Sequence, residues 1–298
     1  MPVRYITVND HVGQRLDNFL IRELRPVPKR RIMQMIRRGE VRVNSKRARV
    51  GLRLEEGDRI RVPPIVREEP PDKDIGDSLK AHVRERVIFE DDRLIIVNKP
   101  VGLAVHAGGT IQVGLIDVVR SIYESDRIEL AHRIDKDTSG CVVMTRTRVA
   151  LLEVHHAFNQ KLVEKHYDAI VFGQWPENCA RIDLAIRRFS MPNGERRAEI
   201  DSSGREALTE FSIKSRCPSA TWLDAVPITG RTHQIRVHAA STGHFVLGDP
   251  KYSRANSSIK VPRMLLHASS ITFAKGPRVQ APLDQSFTEC WHRLCQED

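Results

Sequence analysis

His132-Arg133-Ile134-Asp135-Lys136-Asp137-Thr138-Ser139-Gly140 packs an arginine, two carboxylates, two adjacent hydroxyls and a glycine into nine residues. Taken alone, the stretch has two readings. One is an exposed charged turn, with Asp137 or Thr138 capping whatever follows, because short polar side chains bond nearby backbone amides. The other is a reactive centre. A D-x-D-x-T phosphatase, in which an aspartate attacks phosphorus beside magnesium, does not fit. Thr138 follows Asp137 directly, and Glu129-Leu130-Ala131-His132-Arg133 is not a buried apolar strand.

Three further segments flank it. Gly230-Arg231-Thr232-His233-Gln234-Ile235-Arg236-Val237-His238 would, as a helix, place His233 and Arg236 one turn apart on a shared face. His233 and His238 stand five apart without an H-E-x-x-H, so no metal is expected. Asn98-Lys99-Pro100-Val101-Gly102-Leu103-Ala104-Val105-His106-Ala107-Gly108-Gly109 has glycines that could cradle phosphate. It contains neither a P-loop nor a G-x-G-x-x-G, and by itself reads as a turn. Lys165-His166-Tyr167-Asp168-Ala169 sets a single tyrosine near the start of a strand, ordinarily a half-buried structural position.

The charge distribution is uneven. Residues 1–67 hold 17 Lys/Arg and 7 Asp/Glu, which accounts for the whole formal net charge of +10. A local positive field of that kind suits a polyanion such as nucleic acid. The five cysteines, Cys141, Cys179, Cys217, Cys290 and Cys295, are odd in number, widely spaced and without a C-x-x-C. Free thiols in a reducing compartment are therefore expected. The N-terminus has no apolar leader, and no apolar run approaches the ~18 residues of a membrane span. A cytoplasmic location follows as the expectation.

Periodicity supplies the organisation. Leu16, Phe19, Leu20 and Leu24 share one face of a helix over 14–24. A second helix over 28–38 begins at Pro28 and turns Ile32, Met33 and Ile36 inward, with Lys29, Arg30, Arg31, Arg37 and Arg38 largely outward. Strands are expected at Val41–Val43 and Arg59–Val62, beside the turn pairs Asn44-Ser45 and Gly57-Asp58. Residues 1–62 form a small domain. Residues 63–84, with Pro63, Pro64, Pro70 and Pro71 among mixed charges, read as a linker. Residues 85–298 mix short elements: a strand pair around Asp91-Asp92, a strand over Thr221–Ile228, a helix over Thr232–Ala240 and a closing helix bearing Phe287, Trp291 and Leu294. No βαβ rhythm is visible, so the fold class is α+β rather than a doubly wound sheet.

Taken in order, the four segments resemble the signatures of the RluA-type pseudouridine synthase family. Those signatures run H-R-L-D-x-x-T-S-G, K-x-Y-x-A and G-R-T-H-Q-I-R-V-H, followed by a G-H-P-I-x-G-D-x-Y stretch. The last is matched by Gly243-His244-Phe245-Val246-Leu247-Gly248-Asp249-Pro250-Lys251-Tyr252, and Arg263-Met264-Leu265-Leu266-His267-Ala268 adds to the likeness. Residues 1–62 are similar to the small RNA-binding domain named after ribosomal small-subunit protein four. The carrying words there are Arg15-Leu16-Asp17-Asn18-Phe19-Leu20, Gly39-Glu40-Val41-Arg42-Val43-Asn44 and Gly57-Asp58. The sequence departs from the family pattern at Ile134, Lys136 and Phe245, none of which removes a catalytic group.

The resemblance implies a mainly antiparallel, mixed-sheet catalytic domain that isomerises uridine in RNA without a cofactor. Bacterial large-subunit (23S) rRNA, free or in a pre-ribosomal particle, is the expected substrate and tRNA the alternative; the enzyme is expected to act as a monomer. By the same resemblance Asp135, Tyr167 and Arg236 are the catalytic residues. His132, Arg133, Arg231 and His233, with Arg30, Arg31, Arg37 and Arg38, are the expected RNA contacts. Three other functions compete. A non-catalytic RNA-binding assembly factor would not need Asp135, Tyr167 and Arg236 together. A methyltransferase would need a glycine-rich donor loop after a strand. A glycosidase-type hydrolase would need two opposed carboxylates, of which the motifs place one.

Overall fold

The computed structural model describes residues 3–9, 12–24, 27, 29–65, 75–108, 111–192, 194–253 and 259–296. Two units separate between Asp74 and Ile75. The first contains β1 (Arg4–Thr7), α1 (Leu16–Glu23), α2 (Lys29–Arg38), β2 (Arg42–Val43), β3 (Lys46–Arg47) and β4 (Arg59–Val62). Its sheet is antiparallel, ordered β1-β4-β2-β3. Leu16, Phe19, Leu20 and Leu24 are all buried, as their spacing predicts. On α2 the buried set is Ile32, Met35 and Ile36; Met33, expected inward, is only partly covered. Positions 32, 35 and 36 follow the three-and-four spacing of one helix face, and 33 lies a quarter turn away. Pro28 lies outside the described residues.

Two strands were not foreseen. Asn44 and Ser45 both adopt positive φ, 49° and 66°, and fold β3 back onto β2 through a two-residue turn. In β1 only Ile6 is partly covered, so no alternation marks that strand in the sequence.

The second unit begins inside the segment expected to be linker. Asp77–Arg84 forms helix α3, and Ile75 and Val83 are buried in the main core. Its packing contacts are Leu79 and Val83, a single i,i+4 pair too sparse to register as a hydrophobic period. Residues 66–74 of that segment lie outside the described residues.

Beyond α3 run β5 (Val87–Glu90), β6 (Leu94–Lys99), α4 (Leu115–Ile122), β7 (Glu129–Leu130), β8 (Ser139–Thr145), α5 (Arg148–Asn159) and β9 (Val163–Phe172). Then come β10 (Arg181–Asp183), β11 (Ile186–Ser190), β12 (Arg196–Ile200), β13 (Leu208–Cys217) and β14 (Ala220–Pro227). The last elements are α6 (Gln234–Ser241), β15 (Leu266–Phe273), β16 (Arg278–Gln280) and α7 (Gln285–Leu294). The main sheet runs β10-β13-β14-β9-β15-β8-β6-β5, with β16 beside β15 and β7 beside β8. Its described pairings are antiparallel apart from β8 against β15. The fold is therefore α+β and mainly antiparallel, as expected. Strands β11 and β12 form a separate hairpin.

The parallel pairing explains the glycine that closes the motif around Asp135. Gly140 has φ 108°, and a Cβ there would lie 2.2 Å from the carbonyl oxygen of Ala268 on β15. A side chain would force β8 and β15 apart. Every residue of β8 is buried, so the loop before it enters a rigid strand at the centre of the sheet.

Candidate active site

A cleft of about 770 Å³ opens on the second unit. Its wall includes Arg133, Asp135, Lys165, Tyr167, His233 and Arg236, which lie 103 positions apart from first to last. Three elements bring them together: the loop entering β8, one face of β9, and the first turn of α6 with its N-cap.

The loop is held from below. The Thr138 amide donates to the Asp135 carbonyl at 3.2 Å, closing a turn, and the Lys136 carbonyl accepts from the Gly102 amide at 3.0 Å. Lys99 is fully buried and donates from Nζ to the carbonyls of Leu103 (2.8 Å), Lys136 (2.9 Å) and Pro100 (3.0 Å). Burial lowers its ammonium to about 7, opposed by the charges of Asp137 and Asp135. Lys99 and Gly102, in a stretch indistinct from a turn in the sequence, thus anchor the loop that carries Asp135.

Arg236 is 2% exposed and grips two carboxylates. Nε and Nη2 donate to the two oxygens of Asp249, each at 2.7 Å, and Nη1 donates to Asp135 Oδ2 at 2.7 Å. Such planar, multidentate pairing fixes orientation as well as charge. Burial opposes the charge on Arg236, but Asp249 and then Asp135 raise its pKa above the ordinary arginine value. Asp249 is itself fixed, accepting from the amides of Lys251 (2.8 Å) and Tyr252 (3.2 Å). Asp135 keeps 22% of its side chain exposed to the cleft, whereas Asp249 keeps none. One carboxylate is therefore available to a substrate and the other serves as a buried anchor.

Tyr167 stands on β9, half-buried, two residues from Lys165 and on the same strand face. Burial first, then the charges of Asp135 and Cys141, push its phenol well above the ordinary tyrosine value. It therefore enters the cleft as a protonated hydroxyl on an aromatic face. Lys165 carries a lowered pKa through burial, with its ammonium 5.9 Å from the centre of the Phe158 ring.

The other expected residues divide. Arg133 is exposed on the cleft wall. Arg231 also lines it, with Nε donating to the Glu206 carbonyl at 2.9 Å. His233 is not inside the helix, as expected, but at its N-cap with φ 55°, and its Nε2 lies 3.8 Å from Asp135 Oδ1. His132 lines the cleft and has a second, structural role. Its Nε2 accepts from the Val143 amide at 2.9 Å and its ring packs on Phe158, so it anchors the loop to β8. On α2, Arg30, Arg31, Arg37 and Arg38 are exposed, and Glu40 approaches Arg31 (3.2 Å) and Arg38 (3.9 Å). Lys99, Asp249 and Tyr252 went unassigned in the sequence. The one available signal was that Asp249 and Tyr252 both fall in the motif Gly243–Tyr252.

Neutral buried histidines make the fold acid-sensitive. Burial lowers His132 to about 3 and His233 to about 4, from 6.5. Between those limits the unfolded chain binds protons that the folded chain does not, so stability falls as pH drops from about 6.5 toward 3. Urea unfolding midpoints should decline across that window, and His132→Gln should flatten the decline. A midpoint independent of pH there would contradict the assignment of neutral imidazoles.

Residues 93–241 match the family described as RNA pseudouridylate synthase, and residues 14–60 match the S4 domain. The chain belongs to the RNA pseudouridylate synthase family, enzymes that isomerise uridine to pseudouridine in RNA, and carries an RNA-binding S4 domain ahead of the synthase region. It is 38% identical to ribosomal large subunit pseudouridine synthase C of Yersinia pestis, over 97% of this chain and 94% of that protein. The protein of the same name from Escherichia coli (strain K12) is 34% identical over 96% and 94%. Among solved structures, human RNA Pseudouridylate Synthase Domain Containing 4 superposes with a TM-score of 0.62 at 25% identity, over 73% of this chain and 96% of that one. No helix of the described residues is long and apolar enough to cross a membrane.

Proposed function

We propose that this protein converts specific uridines of large-subunit (23S) rRNA to pseudouridine, and that Asp135 carries the chemistry. The supporting observation is the placement of Asp135: a partly open carboxylate held at 2.7 Å by a buried arginine, in a cleft it shares with Tyr167. The reaction breaks the bond from uracil nitrogen to the ribose, turns the base, and forms a carbon–carbon bond at ring carbon five. No atoms are added and no redox change occurs. A carboxylate so held has two routes, attack on the anomeric carbon or removal of the proton at the 2′ carbon. Arg236 fixes the orientation of the Asp135 carboxylate and sets a cation beside it at 2.7 Å. Tyr167 offers a ring face to the uracil and a phenol for proton transfer at ring carbon five.

The scissile bond is inaccessible in a stacked helix, so the nucleotide must leave the stack. Arg133, exposed at the rim, is suited to fill the gap, with Arg231 and His233 as further contacts. Residues 1–62, through Arg30, Arg31, Arg37 and Arg38 of α2, dock structured RNA by phosphate contact and shape. The large-subunit substrate is carried over from the similar proteins named for it, and the protein is proposed to act as a cytoplasmic monomer on free or assembling rRNA.

The test is carbodiimide mapping of pseudouridine in a strain lacking the protein. Specific reverse-transcription stops in 23S rRNA should vanish and return with the wild-type gene. Unchanged 23S stops with lost tRNA stops would instead identify tRNA as the substrate.

A further inference from the structure

Tyr252 touches both groups that face Asp135. Its hydroxyl lies 2.6 Å from His233 Nδ1, and its ring lies 5.1 Å from the Arg236 guanidinium carbon. The same hydroxyl accepts from the Ala198 amide, on β12, at 2.9 Å. That amide can only donate, so it uses an acceptor site of the Tyr252 oxygen. The phenolic proton is then free to point at His233, where Nδ1 must present its lone pair. In a neutral imidazole the single proton consequently sits on Nε2, the nitrogen 3.8 Å from Asp135 Oδ1. The opposite tautomer would aim a lone pair at a carboxylate.

From this chain we infer that Tyr252 is a positioning residue for the isomerisation: it fixes the His233 tautomer so that Nε2–H serves Asp135 Oδ1, opposite the oxygen held by Arg236. At 3.8 Å the His233–Asp135 contact is open, and a shift of about one ångström would close it into a hydrogen bond, as catalytic contacts commonly tighten once substrate is bound. The relay starts at Ala198, in the hairpin whose Arg188 also lines the cleft. A substrate strand pressing on that hairpin would therefore be sensed at Asp135 through one amide, one phenol and one imidazole.

The inference rests on the assignment of Asp135 above, and its test separates the two. Nitrogen-15 histidine spectra of the wild-type protein, with His233 identified by its loss in His233→Gln, should show the Nε2–H tautomer. In Tyr252→Phe, which keeps the ring over Arg236, that signal should move toward a mixture of tautomers. Single-turnover pseudouridine formation should fall about tenfold, the rate cost of one ordinary hydrogen bond, with RNA affinity unchanged. Tyr252→Phe combined with His233→Gln should be no slower than the slower single variant. An Nδ1–H signal in the wild type, a wild-type rate in Tyr252→Phe, or additive losses would each overturn the inference. If Asp135→Asn were active in the same assay, the assignment of Asp135 would fall instead.

Discussion

Asp135→Asn should form no detectable pseudouridine, a loss on the order of 10⁴-fold or more, while binding substrate RNA with near wild-type affinity. The substitution is almost isosteric. The Asn carbonyl can still accept from Arg236 Nη1, and Arg236 keeps its bidentate partner Asp249, so no buried charge is stranded. What disappears is the carboxylate charge at the oxygen pair that Asp135 opens to the cleft. Neither of the routes open to Asp135 survives that loss, because an amide is a weak nucleophile and a weak base. The measurements are single-turnover release of tritium from 5-labelled uridine in RNA, and filter binding at fixed salt. Residual turnover within a hundredfold of wild type would remove Asp135 from the chemistry. Loss of RNA binding would point instead to a structural role.

Arg236→Met should damage fold and activity together. Methionine matches the length of the arginine stem but leaves Asp249, whose side chain has no exposure, without its cation. Breaking one half of such a buried pair costs roughly 3–5 kcal/mol, and the unfolding midpoint should fall accordingly. Activity should drop by at least about 10³-fold, because Asp135 loses both its orientation and its stabilising charge. Arg236→Lys keeps a charge but cannot hold two carboxylates with a planar fork, so it should recover stability in part and activity hardly at all. A second change separates the two effects. Arg236→Met with Asp249→Asn removes the stranded charge while leaving an acceptor for the Lys251 and Tyr252 amides. This pair should regain much of the lost stability and remain inactive. An active double variant would show that Arg236 acts only through the fold.

The site was legible in the sequence to the extent that its residues sit in dense local words. Asp135, Tyr167, His233 and Arg236 were singled out by the resemblance of those words, taken in order, to a family pattern rather than by any one word alone, and all four line one cleft. Their support was not legible. Lys99 lies in a segment with ordinary turn composition, yet three carbonyls from two loops converge on its ammonium. Those acceptors are backbone atoms, which any residue type can supply. The second role of His132 was hidden for a related reason: its imidazole lines the cleft and also accepts from the Val143 amide, and only the position of Val143 reveals the latter. The linker reading of 75–84 failed because one i,i+4 pair is enough to seat a helix against a core that already exists.

The nine residues from His132 to Gly140 show the division most plainly. By itself the sequence determined the chemistry available there and, with the other words in order, the family and the α+β class. Local spacing sufficed because helix and strand periods, turn residues and charge counts are properties of short stretches. Tertiary structure decided which aspartate faces the cleft, which one is buried as an anchor, and why Gly140 must lack a side chain. Those outcomes depend on Arg236, Asp249 and Ala268, more than 100 positions along the chain. Only packing of β8 against β15 and of α6 over the loop brings such distant groups within hydrogen-bond reach.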